Sequence, residues 1–125
     1  NCQYNLRIGK IMNIKGIGID IEAVDRFRKL PYKSNRSFYG KIFTSVEMEY
    51  CLSKSDPYPS LAARFAGKEA ALKCLRSTIY KALDVEIHND KSGTPNVKVK
   101  GQKGKFLISL SHTKNQAAAI VLWLN

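Results

Sequence analysis

Asp20 and Glu22 close one apolar segment of the chain, and Glu69 and Lys73 sit four residues apart in another. Carboxylates are seldom buried without a compensating charge, because leaving water is costly. A carboxylate from a strand end and one from a packed helix could therefore share a hard cation such as Mg²⁺, which takes oxygen ligands and keeps several waters. Arg64 and Lys68 lie just upstream of Glu69, and with Lys73 they would neutralise phosphate oxygens. Such a set suits phosphoryl-type transfer, which needs positioning, charge neutralisation and an acid for the leaving group. Each residue also has a simpler reading. Asp20 fits the N-cap of a helix beginning near Glu22, and Glu69–Lys73 fits a surface i,i+4 ion pair.

The elements that must position these groups are legible from periodicity. Residues 14–21 alternate Ile17, Ile19 and Ile21 with Gly16, Gly18 and Asp20, a strand whose glycines permit close approach of backbone or ligand. Residues 22–30 change to helical spacing, with Val24, Phe27 and Leu30 on one side and Pro31 as the stop. Residues 32–41 lack a period and read as a loop. Thr44 with Glu47 three residues later forms a capping box for a short helix to about 53, and Pro57 and Pro59 mark a connector. A long helix is predicted over 61–77, capped by Ser60. One side carries Leu61, Phe65, Leu72 and Leu75, and the neighbouring side carries Ala62, Ala66, Glu69 and Lys73. Alanines flanking the two charges let another backbone come close.

The remainder reads as strands at 84–88, 95–100, 106–111 and 117–124. The expected fold is α+β, a long helix across a mostly antiparallel sheet, with a three-stranded meander near the C-terminal end. Residues 14–125 make one domain, and residues 1–13 read as a leader or expression remnant. Ser111 and His112 end a strand in a polar cluster. Adjacent strand residues face opposite ways, so a Ser–His nucleophile pair is a poor reading, whereas His112 could touch phosphate in the same cleft.

Composition narrows the partners. The 125 residues hold 21 Lys plus Arg against 10 Asp plus Glu, a formal net charge of +11. The resulting field favours acidic partners, and the basic residues are spread over the chain as on a folded surface. There is no apolar run near the ~20 residues that cross a bilayer. Cys2, Cys51 and Cys74 have neither disulfide nor metal-ligand spacing, which points to a reducing, cytoplasmic setting. A rival of another class is a basic RNA- or polyanion-binding module using Tyr32, Phe38 and Tyr39 as stacking groups. It has no use for a convergent Asp20/Glu69 pair.

GIGIDIEAVDRF at 16–27, RFAGKEAALKCL at 64–75 and ISLSHTKNQAAAIV at 108–121 resemble the 4'-phosphopantetheinyl transferase family, in its order and spacing. Length and motif order are similar to the short holo-[acyl-carrier-protein] synthase group. The resemblance implies transfer of 4'-phosphopantetheine from coenzyme A to a serine of an acidic apo acyl carrier protein, releasing adenosine 3',5'-bisphosphate. It implies Mg²⁺ on Asp20 and Glu69, proton abstraction from the serine by Glu69, and Lys73 steadying the pyrophosphate and protonating the departing phosphate. Arg64, Lys68, Ser111 and His112 would hold the nucleotide and its phosphates. Arg26, Arg28 and Lys29 would meet the carrier protein. The short group is similar to homotrimers with sites at subunit interfaces. Glu22 departs from that group and resembles the third metal ligand of larger, pseudo-twofold members. Neither nucleic acid nor membrane is an implied partner.

Overall fold

Why isoleucine and glycine alternate so regularly in the first strand becomes plain in the computed structural model, which describes residues 13–125. In chain order the elements are β1 (Ile14–Ala23), α1 (Asp25–Arg28), α2 (Arg36–Gly40), α3 (Ser45–Leu52), α4 (Tyr58–Leu75), β2 (Val85–Asn89), β3 (Pro95–Val99), β4 (Lys105–His112) and β5 (Gln116–Leu124). Strand β1 lies directly on helix α4. A Cβ placed on Gly16 would collide with the carbonyl oxygen of Cys74, and one on Gly18 with that of Ala70. The residues facing the helix must therefore be minimal, and the isoleucines point away from it. Ile17, Ile19 and Ile21 are 54%, 65% and 63% exposed on the outer face.

The expected α+β class holds. Helix α4 covers a three-stranded antiparallel sheet of order β1-β5-β4. The β2–β3 hairpin forms a separate two-stranded sheet, so the expected meander is broken between β3 and β4. Consecutive hairpin signals in sequence do not reveal where a ladder stops. The long helix bridges the break, since Gly67 packs against Ile87 of β2 and against Ile108 and Leu110 of β4.

Two apolar clusters sit along α4. Its first half, with Leu61 and Phe65, packs against Val24, Phe27, Tyr39, Phe43 and Cys51; its second half, with Ala70, Cys74 and Leu75, packs on Val85, Phe106, Ala119 and Val121. Burying a large apolar side chain contributes roughly 1.5–3 kcal/mol, so these two clusters hold the helix in place.

Several boundaries differ from the sequence reading. Strand β1 continues through Glu22, whose register partner is Ala117, and the helix after it spans only Asp25–Arg28. Asp20 is therefore a ladder residue opposite Ala119, not a helix cap. The expected loop at 32–41 instead folds into a 3₁₀ turn, Tyr32–Ser34, and helix α2. Its aromatics supply the missing order: Tyr39 is fully buried, and its hydroxyl donates to the carbonyls of Phe27 and Leu30 at 3.1 and 2.7 Å. Helix α4 starts at Tyr58, ahead of the expected Ser60 cap, because Pro59 fits the first helical turn. The capping box of α3 is present, with Thr44 and Glu47 bonding each other's backbone amides. Asn13, assigned to the leader, exchanges hydrogen bonds with Asn125. The rest of the expected leader lies outside the described residues.

Candidate active site

Side chains alternate along β1, so Gly18, Asp20 and Glu22 all face the helix side. Because Gly18 brings the strand onto Ala70, the neighbouring helical positions Glu69 and Lys73 come level with Asp20. Lys73 Nζ donates to the carbonyl of Ile19 at 2.9 Å and to Asp20 Oδ1 at 3.2 Å. The Asp20 side chain is 12% exposed against 57% for Lys73, so the carboxylate is nearly enclosed while the ammonium reaches solvent. Asp20 Oδ2 is buried with no hydrogen-bond partner.

Glu69 and Glu22 crowd this carboxylate. Burial, then the Asp20 charge, raise the Glu69 carboxyl above its usual range, with Lys73 and Arg26 pulling the other way. Burial pushes Glu22 up to about 7, aided by its approach to Asp20 and opposed by Arg26. Two facing carboxylates have no donor between them, which is why Asp20 Oδ2 is left unsatisfied; a proton or a cation would complete the contact. Arg26 Nη1 meets Glu22 Oε1 at 3.0 Å. Among the described residues no three His, Cys, Asp or Glu side chains converge as a ready-made metal cage. The oxygen donors of Asp20 and Glu69, with one orphaned buried oxygen, nevertheless fit a hard cation that completes its shell with water and phosphate.

A second cleft lies along the same helix. A cavity of about 190 Å³ is lined by Tyr50, Arg64, Asn89, Pro95, Leu110 and His112, among others. Arg64 is only 4% exposed, donates through Nη2 to Asn89 Oδ1, and stacks its guanidinium 4.3 Å from the Tyr50 ring centroid. Its Nε is buried without a partner. His112 thus shares a wall with Arg64.

Two expected nucleotide-binding residues do not join them. Ser111, one position before His112, falls on the outer sheet face beside Ile19, Ala118 and Ile120, and meets His112 only in a small separate cavity with Ile21 and Gln116, away from Arg64. Lys68 is fully buried, its ammonium bonded to Glu47 Oε1 at 2.6 Å and to the carbonyl of Val85. One turn of α4 rotates it into the core, so it faces no open cleft. Periodicity alone had left its direction open.

The basic helix α1 is present, but its charges are not equivalent. Arg28 is tied to Asp56 Oδ2 at 2.6 Å, Arg26 stacks on Phe65 while bonding Glu22, and Lys29 is exposed. The aromatics of the polyanion-binding reading are committed elsewhere. Tyr39 is core, and Tyr32 and Phe38 pack edge-on against it at 5.6 and 5.2 Å. Asn89, Tyr50 and the buried Glu47 were not expected at a site. The only sequence signal for Glu47 was its place in the capping box.

A nearly enclosed carboxylate on β1, a helix carrying Glu69 and Lys73, and a cleft lined by Arg64 sit on the α+β frame of a transferase family. The chain belongs to the 4'-phosphopantetheinyl transferase superfamily, whose profile matches residues 16–121. It is similar to a holo-[acyl-carrier-protein] synthase from Thermodesulfovibrio yellowstonii, 44% identical over 110 residues that cover 87% of this chain and 97% of the relative. Another from Chlorobaculum tepidum is 43% identical, with 86% and 96% covered. Among solved structures, a holo-(acyl-carrier-protein) synthase from Bacillus anthracis in complex with CoA (3',5'-ADP) has a TM-score of 0.79 and 30% identity, covering 92% of this chain and 99% of that one. A Helicobacter pylori synthase in complex with coenzyme A has a TM-score of 0.76 at 27% identity, with 86% and 98% covered. The chain is thus an enzyme of the short holo-[acyl-carrier-protein] synthase group.

Proposed function

We propose that this enzyme transfers 4'-phosphopantetheine from coenzyme A to a serine of an acidic apo acyl carrier protein, releasing adenosine 3',5'-bisphosphate. The observation that carries the reading is the meeting of Asp20, with its unsatisfied Oδ2, and Glu69 and Lys73 on one face. Mg²⁺ on Asp20 and Glu69 would supply charge neutralisation for the pyrophosphate.

The chain's own groups account for the rest. The serine oxygen bonds to the phosphorus that bears pantetheine, and that phosphorus releases the bridging oxygen to the departing bisphosphate. Glu69 takes the serine proton. Lys73, steadied by the Ile19 carbonyl and still open to solvent, gives a proton to the departing phosphate. Arg64 and His112 would hold the nucleotide end in their cleft. Arg26, Arg28 and Lys29 offer the carrier protein a positive surface, Arg28 by exchanging its Asp56 partner.

The assembly reading is a homotrimer. The outer sheet face exposes Ile17, Ile19, Ile21 and Ile120, an apolar surface suited to burial against further copies. Ser111 lies on that face and would reach a site at the seam between copies. The free, separately buried thiols Cys51 and Cys74 fit a reducing cytoplasm.

The test is incubation with coenzyme A, Mg²⁺ and apo acyl carrier protein, read by intact mass. A gain of one phosphopantetheine supports the reading. No gain across several carrier proteins, with no binding of coenzyme A, would sink it.

A further inference from the structure

Glu47 is a fully buried carboxylate that the transfer chemistry does not use. Its Oε1 accepts from the Thr44 amide at 2.9 Å and from Lys68 Nζ at 2.6 Å, and its Oε2 accepts from the Ile87 amide at 2.8 Å. Lys68 also donates to the carbonyl of Val85. One ion pair therefore joins α3, α4 and β2. Every oxygen of the carboxylate is satisfied, which is the condition under which a buried pair holds a fixed geometry.

The same three elements build the Arg64 cleft. Tyr50 stands one turn beyond Glu47 on α3, Arg64 one turn before Lys68 on α4, and Asn89 two residues beyond Ile87 on β2. Tyr50 stacks on Arg64, and Arg64 bonds Asn89. The spacing of the cleft walls is thus the spacing the buried pair imposes. From this we infer that Glu47, with Lys68, is a positioning residue for the Arg64–Asn89–His112 cleft and sets its affinity for the phosphorylated nucleotide end of the substrate. The inference rests on the proposed role of that cleft. It reassigns Lys68 from touching phosphate to aligning the residues that do.

The test uses adenosine 3',5'-bisphosphate as probe in calorimetric titration of the wild type, E47D and the double variant Glu47→Leu/Lys68→Met, with urea unfolding of each. Replacing both buried charges by apolar groups of similar size avoids the unpaired buried charge that removing one alone would leave. E47D keeps the charge but shortens its reach, so it remains falsifiable should the double variant not fold. Both are expected to bind the probe roughly tenfold or more weakly, with KM for coenzyme A rising more than kcat falls. A folded variant that binds as the wild type does overturns the positioning role alone. A wild type that does not bind the probe overturns the nucleotide reading of the cleft, and this inference with it.

Discussion

Gly18 of β1 lies against the carbonyl oxygen of Ala70 on α4 so tightly that a single added methyl would overlap that oxygen. Neither partner can yield cheaply, since both are backbone. Gly18→Ala is expected to cost about 1–3 kcal/mol, in the range of overpacked cores. It should also lift Asp20 away from Glu69 and Lys73. A lowered urea midpoint together with a fall in kcat of the residual folded enzyme checks this; an unchanged midpoint would contradict the close packing.

Charge neutralisation of the acidic cluster separates chemistry from stability. Glu69→Gln removes the proposed base and should lower kcat by roughly 10²–10⁴-fold. Because it also relieves repulsion from Asp20, its melting temperature should be unchanged or higher. Asp20→Asn should behave alike. Glu22→Gln distinguishes a third ligand from a bystander: a ligand's loss shifts the Mg²⁺ requirement upward, and a bystander's does not.

The same cluster makes stability depend on pH. Glu22 holds its proton up to about 7 in the folded chain against 4.5 as the ordinary value. Between those values the folded state binds more protons than the unfolded one, so metal-free stability falls as pH rises through this window. Glu69, shifted the same way, adds to the slope. Urea unfolding of metal-free protein across the window should show the decline, and Glu22→Gln should flatten it.

Burial pushes the thiols of Cys51 and Cys74 up to about 12 and about 11. The thiolate is the reactive form, and both residues are fully buried. Peptide mapping after iodoacetamide treatment at neutral pH should find both unlabelled in native protein and labelled after urea. Rapid native labelling would show that the core opens readily.

The outer isoleucines give a test of assembly. Ile19→Glu places a charge at the centre of the apolar face, where burial against another copy would be costly. Light scattering should then report a smaller particle that stays folded by circular dichroism, with reduced transfer. An unchanged mass would remove this face from the interface.

Much of this protein was legible along the chain. The period of β1, the capping box at Thr44, the alanine-flanked side of α4 and the candidates Asp20, Glu69 and Lys73 follow from residue spacing, because short-range geometry turns spacing into direction. Tertiary structure alone decided where the apolar sides pointed: isoleucines that look like core face outward, since only glycine fits beneath α4. It also turned Lys68 inward to Glu47, placed Ser111 on the outer sheet face away from the Arg64 cleft, and folded residues 32–41 around Tyr39. Each of these depends on a partner 9 to 21 residues away or on the opposite side of a sheet. A local pattern limits the directions a side chain can take, but what it meets there is set by packing.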